Sequence, residues 1–432
     1  MKLISVVLVA GCAFVANARA DDNLLKVYGV LDIAVGNQSN GLRANHNVGG
    51  SVNSATYFST LNPNVGSHTE IWSGGLSQDR IGITGSKSFD NGLRLGYLAE
   101  TGFNIIGVKL INGDAALLDN SQAHGSAGYS SSSANTSQVG QFINREAYLK
   151  VGYGSLGELR AGRNQSLITD ALGTVAPLAG AQDFSPLGNS GAFSGGVGVS
   201  ETLRLDDSVK YAGSTGDFNY GLMFAKGNGT ALANQGRMYG AGIGYRSGAL
   251  RLQGAYTEET DALREGQSTT PGNIKVTAFN ASGWLVGASY NLATDWNFDA
   301  GVTHYTLSAP KDVFSHATLT SMNGYSVASV SNFSGPSQVV QLSWLGADYR
   351  VSDKLKIYGS VQQAHYRAYS TFTSGNANWF SMLATYNVYK NTDLYAAIAH
   401  ANLTNTAATS AIAGNSPIPH NRIIGAGARF TF

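Results

Sequence analysis

The chain has 432 residues and a net charge of +1, with 13% charged, 10% aromatic, 54 Gly, 8 Pro and 1 Cys. Soluble domains ordinarily carry ~25% charged residues, so this composition departs from theirs, and the missing basic surplus excludes an ordinary nucleic-acid binder. It also excludes a charge-rich disordered chain.

Residues 1–20 read MKLISVVLVAGCAFVANARA. Lys2 supplies a positive start, Leu3 to Val15 an apolar run, and Ala18-Arg19-Ala20 a small-residue cleavage pattern. These are the parts of a signal peptide cleaved after Ala20. Its removal leaves 26 of the 28 basic residues against 27 acidic ones, a net charge of −1, and no cysteine. Such an exported body cannot use disulfides and must be held by packing and hydrogen bonds. No later stretch offers the ~18 apolar residues of a membrane helix, but a membrane strand needs only about ten, of which alternate ones face lipid.

From Lys26 onward the sequence alternates with period two between turn signals. In 26–35, Val27, Gly29, Leu31, Ile33 and Val35 share one face; Lys26, Tyr28, Val30, Asp32 and Ala34 share the other. Trp284, Val286, Ala288, Tyr290 and Leu292 repeat this, as do Ile424, Ala426, Ala428, Phe430 and Phe432. About sixteen strands are predicted, centred near 30, 83, 97, 148, 160, 210, 222, 242, 254, 287, 301, 345, 359, 383, 397 and 427. Short polar turns such as 89–92, 154–157 and 293–295 alternate with long loops near 37–78, 104–140, 164–206, 258–278, 308–337, 367–376 and 403–420. The hairpins 288–302, 347–361 and 384–398 each open with Ala-x-Tyr and a polar turn, placing a tyrosine at a membrane edge. Together these features predict an all-β, transmembrane antiparallel barrel over 21–432, wide enough at ~16 strands for an aqueous channel.

The sequence resembles the Gram-negative general porins, in particular those of β-proteobacteria. VYGVLD (27–32) resembles the first strand of that family, RIGITGSKSF (80–89) the second and GLRLGYLAETGF (92–103) the third. NREAYLKVGYGSLGELRAGR (144–163) is similar to the fourth and fifth strands, RLDDSVKY (204–211) to the start of the sixth, and the final Arg429-Phe430-Thr431-Phe432 to the terminal aromatic sorting signal. Asp207 and Arg160 depart from the family's usual Asn and Thr. The resemblance implies a homotrimer of outer-membrane diffusion channels, contact with outer-membrane lipid and lipopolysaccharide, and recognition of Phe430 and Phe432 by the barrel-assembly machinery. It also implies a third loop, here 164–206, folded inside to narrow the pore.

That loop has no basic residue between Arg163 and Arg204 and carries Asp170, Asp183 and Glu201, with Asp206 and Asp207 at its exit. A basic wall is expected to face it. Alternation points Arg80, Arg94, Arg160 and Lys210 into the lumen, and Arg204 stands at the loop's end. Arg145 and Arg163 have lipid-facing parity, but a bulge at a strand end can re-aim a side chain; both are included on the resemblance. Basic groups facing carboxylates would set a transverse field that sorts ions and orients dipolar solutes. An anion preference is the expected outcome.

No cofactor, metal or catalytic residue is expected. The eight histidines, His46, His68, His124, His304, His316, His365, His400 and His420, form no close pair and sit beside no recognisable nucleophile motif. Three other readings stay open: a substrate-specific channel lined by aromatic residues such as Tyr28, Tyr148, Tyr305, Trp344, Tyr358 and Tyr395, an outer-membrane barrel enzyme, and an exported adhesin or sandwich.

Overall fold

A computed structural model describes residues 24–39, 67–106, 109–110, 142–181, 184–187, 204–226, 237–265, 276–309, 319–322, 325–330, 337–367, 374–404 and 420–432. The signal segment 1–20 lies outside them. The strands in chain order are β1 (Lys26–Gln38), β2 (His68–Ser73), β3 (Arg80–Ser88), β4 (Leu93–Asn104), β5 (Lys109–Leu110), β6 (Ala147–Tyr153), β7 (Glu158–Gln165), β8 (Arg204–Thr215), β9 (Phe218–Ala225) and β10 (Arg237–Ser247). They continue as β11 (Leu250–Glu265), β12 (Val276–Leu292), β13 (Trp296–Ser308), β14 (Leu319–Met322), β15 (Tyr325–Val330), β16 (Gln338–Arg350), β17 (Leu355–Tyr366), β18 (Gly375–Tyr389), β19 (Thr392–Leu403) and β20 (His420–Thr431).

Each long strand pairs antiparallel with its sequence neighbours, and β20 returns to β1 through Val30↔Thr431 to Gln38↔Ile423. Backbone bonds from Gly29 N to Phe432 O (3.0 Å) and Phe432 N to Gly29 O (3.1 Å) extend that seam. Closure removes the sheet edges that would otherwise expose unpaired amides. β2 and β3 lie end to end along one edge of β1 and form one interrupted stave. β5 adds two residues beside β4, and β14–β15 is a separate hairpin. The wall is therefore a sixteen-staved antiparallel barrel.

All sixteen predicted centres fall within strands. The main differences concern the long-loop side. β2 occupies the predicted loop 37–78, β14 and β15 occupy 308–337, and β11 and β12 run on to Glu265 and from Val276. These segments are short or interrupted and mixed in composition, so their sequences lack the long apolar alternation that marks a membrane stave.

The alternation separates two environments. Outward side chains include Val27, Leu149, Leu222, Val286, Leu345 and Phe380, each exposed on the isolated barrel. The three predicted edge tyrosines, Tyr290, Tyr349 and Tyr386, also point outward beside short turns, and Trp296 stacks obliquely on Tyr349 with centroids 4.6 Å apart.

The apolar core lies inside the lumen. After β7 the chain forms helix α1 (Leu167–Val175) and a 3-10 turn, Pro177–Gly180. Ser166 caps α1 by accepting from Thr169 N (3.3 Å), while Pro177 forces Ala176 into extended backbone and ends the helix. Leu167, Ile168, Ala171, Leu172 and Val175 give α1 a continuous apolar face and are buried against the wall.

Candidate functional site

The course of the inward segment fixes where a passage can lie. α1 packs on β10, β11 and β12, and the 3-10 turn on β16 and β17. Trp344 Nε1 donates to Val175 O (2.9 Å), Gln362 bonds Ser185 (3.1 Å), and Ser381 Oγ donates to Phe184 O (2.6 Å). Phe184 then reaches Trp72 on β2, with ring centroids 6.5 Å apart. Val175, Phe184, Leu342 and Leu285 are fully buried in this contact. Among the described residues, the segment thus lines the wall from β9 round to the β20–β1–β2 corner; on the arc β3, β4, β6, β7 and β8 the charged residues Arg80, Glu100, Glu146, Arg163 and Arg204 are themselves buried.

That arc carries a cluster of guanidinium groups. Glu100 on β4 lies between Arg80 on β3 (3.4 Å) and Arg145 just before β6, and accepts from Tyr28 OH (3.0 Å). Arg145 also donates to Gln78 Oε1. Arg163 Nε donates to Arg145 O (2.9 Å) and its Nη2 to Asn144 O (3.3 Å), while Asn144 is held by reciprocal bonds with the Gly102 backbone (2.7 and 2.8 Å). Arg204 begins β8 opposite Gln165, and Glu146 Oε1 accepts from Gln165 N (3.2 Å). Four guanidinium groups therefore share the arc with two carboxylates.

A β-bulge re-aims Arg163. Gly162 faces Ser208 and Asn164 faces Leu205, so Asp206 and Asp207 together stand opposite Arg163. Gly162 has φ +138° and a Cβ there would collide with Ala147 O; Asp207 has φ +48°. Arg163 lies against the inner wall, buried, despite its position in the alternation. Arg145 precedes the regular strand and escapes alternation altogether.

The other predicted residues lie elsewhere. Arg94 is near the short-turn end, donating to Gly154 O (3.2 Å). Arg160 pairs with Glu158 (2.7 Å) and lies over Tyr148 (4.9 Å). Lys210 and Asp170 form an ion pair that is almost fully buried, with Lys210 Nζ also donating to Gln165 O (2.9 Å). Burial pushes the Asp170 carboxyl above its usual range, opposed by the neighbouring ammonium. Neither group presents charge to solvent. Asp207 is exposed. Asp183, Glu201 and the Asp206 side chain lie outside the described residues.

Glu100, Glu146, Gln78 and Asn144 were not singled out from sequence. The alternation that turns Arg94 inward also turns Glu100 inward, so that one was legible. Of the aromatic residues expected inside, Tyr305, Trp344 and Tyr395 are buried in the inward-facing core. Tyr395 OH is committed to Asp32 Oδ1 (2.5 Å), which also accepts through Oδ2 from Leu76 N (2.9 Å) and Ser77 N (2.8 Å). No group of three metal-ligating side chains occurs among the described residues.

A closed sixteen-staved antiparallel wall with a segment folded into its lumen and a cluster of charged side chains on one arc is the architecture of an outer-membrane channel. Residues 5–406 match the Gram-negative porin family, and the chain belongs to that family. It forms a diffusion channel through the outer membrane. A search of the curated proteins finds no significant match. Among solved structures, the chain is similar to the anion-selective porin from Comamonas acidovorans (17% identity, 94% of this chain and 99% of that one, TM-score 0.62). It is also similar to the trimer form of OmpT, an outer membrane protein of Vibrio cholerae (15%, 95% and 100%, 0.55), and to Salmonella typhi OmpF in complex with daunomycin (14%, 95% and 98%, 0.53).

Proposed function

We propose that the pore's narrowest passage lies between the inward segment and the Arg80–Arg145–Arg163–Arg204 arc, and that it favours anions. The observation that carries this reading is the excess of four guanidinium groups over the two carboxylates Glu100 and Glu146. In a narrow lumen with low-dielectric walls, such an excess raises the local concentration of anions and repels cations. Solutes pass without bond making. Arg94 and Arg160 act nearer the short-turn mouth, and Lys210 with Asp170 anchors α1. Asp183, Glu201, Asp206 and Asp207 form the acidic side across the passage; they set a transverse field, and anions follow its arginine-lined side. The anion selectivity of the Comamonas porin supports this reading by likeness of fold. Reversal potentials in a planar bilayer under a salt gradient test it: an anion-selective sign is expected, and a cation-selective sign rejects it.

The domain reading accompanies it: residues 1–20 are a signal peptide cleaved after Ala20, and 21–432 form one barrel of the β-proteobacterial type, with 164–206 as the constriction loop. The barrel assembles as a homotrimer, with outer-membrane lipid and lipopolysaccharide around it, and Phe430 and Phe432 are read by the assembly machinery. The OmpT trimer supports the oligomer by analogy of fold.

A further inference from the structure

The stave formed by β2 and β3 is broken halfway along β1. β2 ends with Ser73 opposite Ile33, and β3 begins with Arg80 opposite Val30. Residues 74–79 therefore stand beside Leu31 and Asp32 alone, six residues where an unbroken ladder would place two. The excess turns into the lumen. Gly74 has φ +84°, and its N–H donates to Asp32 O (2.7 Å). Gly75 lies against the buried Tyr395, where a Cβ would strike the phenol oxygen. Leu76 joins the apolar cluster that holds Trp72 and Phe184. Ser77 and Gln78 stay half-exposed at the inner edge of this shelf. Insertions of this kind bend a wall and re-aim side chains.

Two buried carboxylates hold the shelf. Asp32 accepts from Leu76 N, Ser77 N and Tyr395 OH. Asp79 accepts from Asp32 N (2.5 Å), Ile105 N (3.2 Å) and the Ser73 hydroxyl. Hydrogen bonds to a carboxylate are among the stronger ones, so the shelf is a fixed platform rather than a solvated turn.

Its two ends meet the two sides of the passage. Leu76 and Trp72 belong with Phe184, the far anchor of the inward segment. Gln78 meets two arginines of the arc: its backbone O accepts from Arg80 Nη1 (3.1 Å) and its Oε1 from Arg145 Nη1. Ser77 Oγ accepts from Arg429 Nη1 (3.2 Å). Gln78 and Glu100 act differently on Arg145. A carboxylate cancels the charge it holds, whereas an amide oxygen aims a guanidinium and leaves its charge in place.

We propose that residues 74–79 form a second constriction element, bridging the inward segment and the arginine arc, and that Gln78 is a positioning residue that aims Arg145 at permeating anions. Asp32 and Asp79 act through Gln78 by fixing the shelf. The proposal rests on the passage assigned above.

Planar-bilayer recording tests it. Q78C, in a chain whose one other cysteine is Cys12, is treated during recording with a bulky anionic methanethiosulfonate, and labelling is read by mass spectrometry. A stepwise loss of current is expected. Unchanged current after labelling, or a thiol that is not labelled, overturns the shelf as part of the passage. Q78A should move the reversal potential toward cations, because the released Arg145 turns fully onto Glu100. In an R145Q background the same change should give no further shift, the mark of two residues acting through one contact. Equal shifts in both backgrounds overturn the positioning role. D79A frees the shelf and should raise the mean conductance; where that variant fails to fold, the Gln78 variants, which alter a half-exposed side chain, decide alone. R163Q alters the arc without touching the shelf. A shift with R163Q but none with the Gln78 variants leaves the arc standing and rejects the shelf, whereas no shift with R163Q rejects the passage itself.

Discussion

At the residue scale, the arc on β3–β8 behaves as a shared-charge network rather than a set of independent arginines. Glu100 touches both Arg80 and Arg145, and Tyr28 holds its second oxygen. Neutralising the carboxylate while keeping its shape, in E100Q, should shift the reversal potential toward anions. R80Q and R163Q should shift it toward cations, and bilayer recordings in a salt gradient distinguish the two directions. The buried Lys210–Asp170 pair calls for a different test. K210M strands a carboxylate beside the helix and should cost about 3–5 kcal/mol, whereas K210M/D170L removes both charges and should recover much of it. Thermal unfolding of the refolded barrel reads the difference.

At the element scale, the loop is held by shape. Pro177 seats on Gly346, where a Cβ would strike the proline ring, and Phe184 fills the space beside Trp72 and Gly425. G346L should lift the 3-10 turn from β16 at a cost of about 1–3 kcal/mol. F184A removes a fully buried ring and should weaken the distal anchor by about 3–5 kcal/mol. Both variants should give noisier single-channel currents with a higher mean conductance; currents indistinguishable from wild type would show that these contacts do not hold the waist. The helix itself was not anticipated as a helix. Its apolar face resembles a buried strand over so short a run, and its cap and Pro177 acquire meaning only once the segment is known to lie inside a barrel.

At the scale of the whole molecule, stability comes from closure. The β1–β20 ladder and the Gly29–Phe432 bonds join the first and last staves of the chain. Deleting Phe432 removes two of those bonds and an outward ring stacked on Phe430 at 5.9 Å. It should lower the yield of folded barrel, measured as the fraction that migrates in compact form on an unheated detergent gel. An unchanged yield would show that closure tolerates the loss.

The residues by themselves indicated about sixteen staves, their centres and the sidedness of several, because a period of two repeats locally and side chains that meet hydrocarbon are mostly apolar. They placed Arg145 and Arg163 on the lipid parity, and only the resemblance to the family, with twist or a bulge at a strand end as the means, brought both to the pore. Only the tertiary structure decided which charges remain exposed to the lumen. Asp170 meets Lys210, and Arg145 meets Glu100 and Gln78, across separations of 45 and 67 residues for the last two. Such partners are chosen by where the loop leans and how the sheet curves, and no local pattern encodes either.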